Sequence, residues 1–168
     1  MVEMKKTLTD PETEKIRADL NQRGLWLYNF LQTAREKGID FDDYGRATMF
    51  KCGCMQGMKQ LPPTDSLVEL AKNYVTPGGR KAYEIDVPVC TEEKVIINST
   101  YCPMVELWRE LTGNDEAEVE YLCDLWLDTD RGKLSNFPQF EFEIKQTIPK
   151  GDPLCSLEIV RKKETKND

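Results

Sequence analysis

The chain has six cysteines and no histidine, and this limits its chemistry before any fold is considered. Without imidazole there is no Ser-His-Asp triad, no Cys-His dyad and no His-ligated metal or haem. Any general acid or base has to be Asp, Glu, Lys, Tyr or Cys. No Gly-x-Gly-x-x-Gly or Walker-type phosphate loop occurs. Three cysteines stand in informative settings: Cys102 in Tyr101-Cys102-Pro103, Cys123 in Leu122-Cys123-Asp124, and Cys155 at the end of Gly151-Asp152-Pro153-Leu154-Cys155.

A helix beginning at Pro103 makes Cys102 its N-cap, because proline at the first helical position loses no hydrogen bond. A sulfur there faces unpaired N–H groups and the positive end of the helix dipole. Those groups favour thiolate, so the spacing predicts a lowered pKa and makes Cys102 the candidate nucleophile. The competing reading is a small buried hydrophobe at a strand–helix corner. Cys123 lies among Leu122, Leu125 and Trp126 and reads as a packed core thiol. Asp124 is an acid in an apolar run, placed either to move a proton or simply on a solvated helix face. Cys155 follows a turn, on a strand face with Leu157 and Ile159. In Cys52-Gly53-Cys54 the sulfurs point to different helix faces, since each residue turns ~100°. The Cys-x-x-Cys spacing of structural zinc sites is missing. No metal or cofactor is expected, with a zinc or iron–sulfur site from four scattered cysteines as the alternative. Cys90 stands alone.

The elements that would position these groups fall into two parts of a single domain. Over roughly 10–75 the pattern is helical. Thr9-Asp10-Pro11-Glu12 is a start signal, Ile16, Leu20, Leu27, Phe30, Leu31 and Ala34 follow at helical spacing, and Gly38 is the stop. A second helix spans about 42–60, with Tyr44, Ala47, Cys54, Met58 and Leu61 near one face and Pro62-Pro63 at its end. Gly53 and Gly57, one turn apart, allow another backbone to approach. A third helix is predicted from a Thr64/Asp65 cap to Tyr74, and Thr76-Pro77-Gly78-Gly79 reads as a turn.

Over 80–162 the period changes. Tyr83, Ile85, Val87 and Val89 alternate as a strand, at an edge because of Pro88. Val95-Ile96-Ile97 is a second strand, helices follow over 103–111 and 115–127, and two alternating runs around Phe140–Ile144 and Cys155–Ile159 form a C-terminal hairpin. The predicted class is α+β: a helical N-terminal half packed on an antiparallel sheet.

A formal charge of −7 argues against a nucleic-acid partner, and Arg161-Lys162-Lys163 beside Glu164 reads as a solvated chain end. No secretory signal or membrane-length apolar run is visible. A cytoplasmic protein with free thiols and no membrane contact is expected. The edge strand and the glycine-rich second helix offer surfaces for a homodimer.

The series Asn98-Ser99-Thr100-Tyr101-Cys102-Pro103, Glu106-Leu107-Trp108, Glu110-Leu111, Leu122-Cys123-Asp124 and Thr147-Ile148-Pro149-Lys150-Gly151-Asp152-Pro153 with Cys155 resembles the L-2-amino-thiazoline-4-carboxylic acid hydrolase family, over about residues 83–161. The resemblance implies hydrolytic opening of a small sulfur-containing ring, to N-carbamoyl-cysteine in the founding activity. On that reading Cys102, Asp124 and Glu106 are the candidate catalytic residues, and Asn98, Tyr101, Trp108 and Cys123 the candidate substrate contacts. Cys102 would attack the amidine-like carbon while Asp124 or Glu106 handles the proton; alternatively a carboxylate activates water and Cys102 only lines the pocket. The ending also looks like the 4-vinyl-reductase-type small-molecule-binding domain, whose members share a Gly-Asp-x-x-Cys strand start. The zinc-ligand positions of some of those domains are Thr147 and Ile144 here, a departure from that pattern. The alternative function is therefore a non-catalytic ligand-binding or sensor module; either way the expected partner is a small molecule.

Overall fold

The computed structural model describes residues 2–163. Its helices are α1 (Pro11–Glu36), α2 (Asp42–Gln60), α3 (Leu67–Tyr74), α4 (Pro77–Tyr83), α5 (Pro103–Leu111) and α6 (Glu116–Leu134). Its strands are β1 (Ile85–Cys90), β2 (Lys94–Ser99), β3 (Phe140–Gln146) and β4 (Cys155–Arg161), all antiparallel in the order β1-β2-β4-β3. The α+β class and the C-terminal hairpin are as the sequence predicts, and β1 is an edge. Among the described residues no helix is long and apolar enough to cross a membrane.

Local chemistry explains the boundaries. Asp10 caps α1, with Oδ1 accepting from Thr13 N at 3.1 Å ahead of Pro11. Ser66, not Thr64 or Asp65, caps α3, its hydroxyl accepting from Glu69 N. The segment read as a turn at 76–79 instead opens α4: Thr76 accepts from Gly79 N, and Pro77 supplies the first helical residue. Tyr83 therefore ends a helix rather than starting a strand. α6 runs about two turns beyond Leu127, to Leu134. Its apolar signal fades there, but the i,i+3 pairs Asp128–Arg131 and Asp130–Lys133 continue the helix.

The buried face of α2 also differs from the sequence reading. Tyr44 and Met58 are exposed, while Gly45, Gly53 and Gly57 are buried. α2 lies backbone to backbone on α6. A Cβ on Gly53 would stand 2.0 Å from Thr129 O, and one on Gly132 would stand 2.1 Å from Phe50 O. The glycine face is thus used within the chain and is not a surface for a second copy. Arg161, exposed as the sequence predicts, is nevertheless tied down. It donates to Glu92 O and Asp65 O and covers the Phe140 ring; Glu164 lies outside the described residues.

Two apolar cores result. One joins α1, α5 and α6 through Leu27, Leu31, Met104, Trp108, Leu122 and Leu125. The other joins α3, the end of α6 and the sheet through Leu67, Leu70, Val95, Ile97, Leu134 and Ile159. The chain ahead of α1 is tied down at Glu84, a non-glycine residue at φ 52. Its carboxylate accepts from Thr7 N, Thr7 Oγ1, Leu8 N and the buried Arg17. Those four bonds hold a conformation that a side chain rarely adopts.

Candidate functional site

Between the two cores lies a cavity of about 390 Å³. Every informative cysteine of the sequence reaches it: Cys102 from the N-cap of α5, Cys123 from α6 and Cys155 from the first residue of β4. Met104, Trp108 and Trp126 add apolar wall. Tyr74, Tyr83, Arg23, Asp130 and Lys133 supply the polar groups with most chemistry.

Each sulfur is fixed by its element. Cys102 has extended backbone, φ −139 and ψ 113, and caps α5 without a side-chain hydrogen bond. Cys155 Sγ accepts from Ile148 N at 3.4 Å across the β3–β4 connection. That connection is held by Asp152, whose carboxylate accepts from Thr147 N at 2.9 Å, and by Gly151 at φ 95. Cys52 and Cys90 are exposed, and Cys54 lies against the Ser135 hydroxyl at 3.3 Å. Among the described residues no group of three or more Cys, Asp or Glu has the geometry to hold a metal ion.

The expectation of a low-pKa thiolate is overturned. Burial pushes the Cys102 thiol up to about 12, and neighbouring Cys155 adds to the rise. The N–H groups of Val105 and Met104 pull the other way, so the helix-mouth effect is present but loses to desolvation. Burial likewise raises Cys123 well above the thiol range, with Cys155 and Cys102 adding to it, and raises Cys155. Tyr74 and Tyr83 are held neutral by burial, with Asp130 next for Tyr74 and Cys102 next for Tyr83. The charged side chains that line the cavity are Arg23, Lys133 and Asp130, the last two paired at 3.0 Å.

The other candidate residues separate. Trp108 and Cys123 do line the cavity, and the Trp108 indole donates to Gly24 O at 2.9 Å. Tyr101 is buried outside the lining; its hydroxyl donates to Glu106 Oε2 at 2.5 Å and Arg17 stacks 4.3 Å from its ring centroid. Glu106 is an exposed neighbour of Lys6. Asn98 alternates with the cavity-lining Ser99, so its side chain points to the opposite sheet face, where Oδ1 is buried without a partner. Asp124 lies one residue past Cys123, about 100° around α6. There it accepts from Arg46 at 2.8 Å and Arg131 at 2.9 Å. Burial alone would raise its pKa, but these two guanidinium groups hold it below the usual carboxylate range.

The carboxylate lining the cavity is Asp130, which sequence reasoning missed. It stands seven residues from Cys123, two turns along the same face, with Trp126 and Leu127 between. Carrying the helical period past Leu127 would have found it.

A family model described as L-2-amino-thiazoline-4-carboxylic acid hydrolase matches residues 22–159. The match includes most of the helical front half, which the motifs around the cysteines alone do not reach. No curated protein and no solved structure matches the chain.

Proposed function

Since the chain belongs to the L-2-amino-thiazoline-4-carboxylic acid hydrolase family, we propose that the cavity between its two cores takes up a small thiazoline-type cyclic amidine and opens the ring by hydrolysis. The observation that carries this reading is the meeting of Cys102, Cys123 and Cys155 with Asp130 in one cavity. Its volume of about 390 Å³ suits a small molecule.

Of the two routes, carboxylate-activated water fits these side chains better than thiolate attack. A thiol raised to about 12 is protonated at neutral pH, whereas Asp130 is a base already positioned by Lys133. Asp130 takes a proton from water as the water oxygen bonds to the ring carbon between sulfur and nitrogen. The C=N electron pair moves onto the ring nitrogen, which takes up the remaining water proton as the oxygen becomes a carbonyl. The carbon–sulfur bond breaks, and the proton held by Asp130 passes to the departing sulfur. The neutral thiols and Trp108 form the wall against which the ring lies, and the limited water around it strengthens the charges that act.

A second reading is a binding or sensor module. The protonated thiols and apolar wall favour it, because neither needs to react in order to hold a ring. One experiment separates the two. Incubation with L-2-amino-thiazoline-4-carboxylate and related thiazolines releases one new thiol per ring opened, followed with a thiol-reactive chromogen. Release above the rate without protein supports hydrolysis. Thermal stabilisation by the same compounds with no thiol release leaves the binding module.

A further inference from the structure

The charge balance of the cavity runs against that of the chain. The protein carries −7 overall, yet the charged side chains lining the cavity are Arg23, Lys133 and Asp130, two cations to one anion. Lys133 and Asp130 neutralise each other at 3.0 Å. That leaves Arg23 on α1.

Arg23 is also unusual among the eight arginines. Arg17, Arg35, Arg46, Arg109, Arg131 and Arg161 each form an ion pair with a carboxylate. Arg80 donates to Ile85 O. Among the described residues Arg23 has neither a carboxylate nor a carbonyl partner, in a chain with 30 acidic residues available to supply one. It is exposed at residue level yet lines the cavity. Its charge is also felt at the buried Tyr83 hydroxyl on the opposite helix α4, where it favours loss of the proton. A guanidinium kept free of internal partners, with five donors in a planar fork, matches a carboxylate bidentately. The surrounding negative chain would carry a free cation's counter-charge at little cost, so its absence here marks a place where the counter-charge arrives with the ligand.

We propose that Arg23 is the anchor for a carboxylate on the cavity's ligand, setting the ring of that ligand against the thiol wall. This rests on the cavity being the ligand site, and it holds whether the ligand is hydrolysed or only bound.

The test uses a ring that resists hydrolysis. Binding of 2-aminothiazole-4-carboxylate and of its uncharged 4-carboxamide is measured by calorimetry at low salt with the full chain, Arg23→Gln and Arg23→Lys. The wild-type chain is expected to prefer the carboxylate by about tenfold or more, as a charge-assisted pair implies. Arg23→Gln should reduce that preference to about twofold or less, and Arg23→Lys should keep part of it. Ligand-free unfolding of Arg23→Gln should match the wild type, since the residue has no internal partner to lose. A wild-type chain that binds both compounds equally, or an Arg23→Gln chain that keeps the preference, overturns the assignment. Arg23-dependent carboxylate binding without thiol release from thiazolines removes the hydrolase reading and leaves this one. Thiol release with an unchanged preference in Arg23→Gln does the reverse.

Discussion

Lys133 Nζ lies 3.0 Å from Asp130 Oδ1, and both side chains line the cavity that Cys123 reaches from two turns earlier on α6. The pairing fixes the one carboxylate among the residues that line the cavity. Asp130→Asn keeps the shape and removes the base. Ring opening should fall by about 10²–10⁴-fold, with binding of 2-aminothiazole-4-carboxylate retained. Unchanged thiol release in that variant would remove Asp130 from the mechanism.

Cys102→Ser should keep most of its turnover, because a protonated sulfur on the wall is not the group that attacks. Loss of a true nucleophile costs far more, ~10⁶-fold in a protease triad. The raised pKa also sets a labelling profile. Cys52 and Cys90, which are exposed, should alkylate first at pH 8. Labelling of Cys102 should climb about tenfold per pH unit toward about 12. Mass spectrometry of peptides after a short pulse of iodoacetamide reads both. Its linkage to stability has the same sign. The folded pKa lies above the ordinary thiol value of 9.0, so this contribution is intact below that value and is lost as pH rises from there toward about 12.

Glu84 gives the opposite pH dependence. Burial alone would raise its pKa, but the N–H groups of Leu8 and Thr7, the Thr7 hydroxyl and Arg17 outweigh it, and the net shift is downward. Its stabilisation is present above the unfolded carboxylate value and is lost as pH falls through the lower folded one. Glu84→Gln should therefore cost about 2 kcal/mol at pH 7, with the gap to wild type closing in strong acid. Urea titrations at pH 7 and pH 3 check this. A gap of equal size at both values would contradict it.

Gly53→Ala should be among the most damaging small substitutions in the chain. Its new methyl would sit 2.0 Å from the Thr129 carbonyl, which belongs to a backbone and cannot rotate away. A loss of about 3 kcal/mol is expected, or about 6–12 °C in Tm for a chain of this size. Gly78→Ala is the control: its methyl would meet only Ile16 Cδ1 at 3.5 Å, and its Tm should stay near that of the wild type.

Much of this was legible in the sequence because the relevant forces are local. Asp10-Pro11 and Cys102-Pro103 mark helix starts, Pro88 marks an edge, and the alternation around Phe142 and Leu157 marks paired strands. The misreadings arose where a distant contact overrides a local signal. Gly78-Gly79 reads as a turn, yet the Thr76 cap and Pro77 suffice for a short helix. Tyr44 and Met58 read as core, but α2 buries its glycines, because α6 presents Thr129 and Gly132 at backbone distance. Cys102 stands at the helix mouth that Pro103 predicts, but its proton is set from further away: helix-end N–H groups are local, whereas burial and the neighbouring Cys155 are products of the tertiary fold. Asp124 stands beside a cysteine in the sequence, but helical geometry turns it toward Arg46 and gives the cavity Asp130 instead.

The two cores have a consequence for what the ligand is to this chain. Met104, Trp108 and Cys123 belong to one core, Tyr74, Val75, Ile85 and Leu157 flank the other, and all of them look into the same gap. Those apolar surfaces face the gap, where a bound ring would meet atoms of both cores. A molecule seated there is thus interior more than cargo. On the proposed reading it packs against both cores at once, so that binding it stabilises the way they meet.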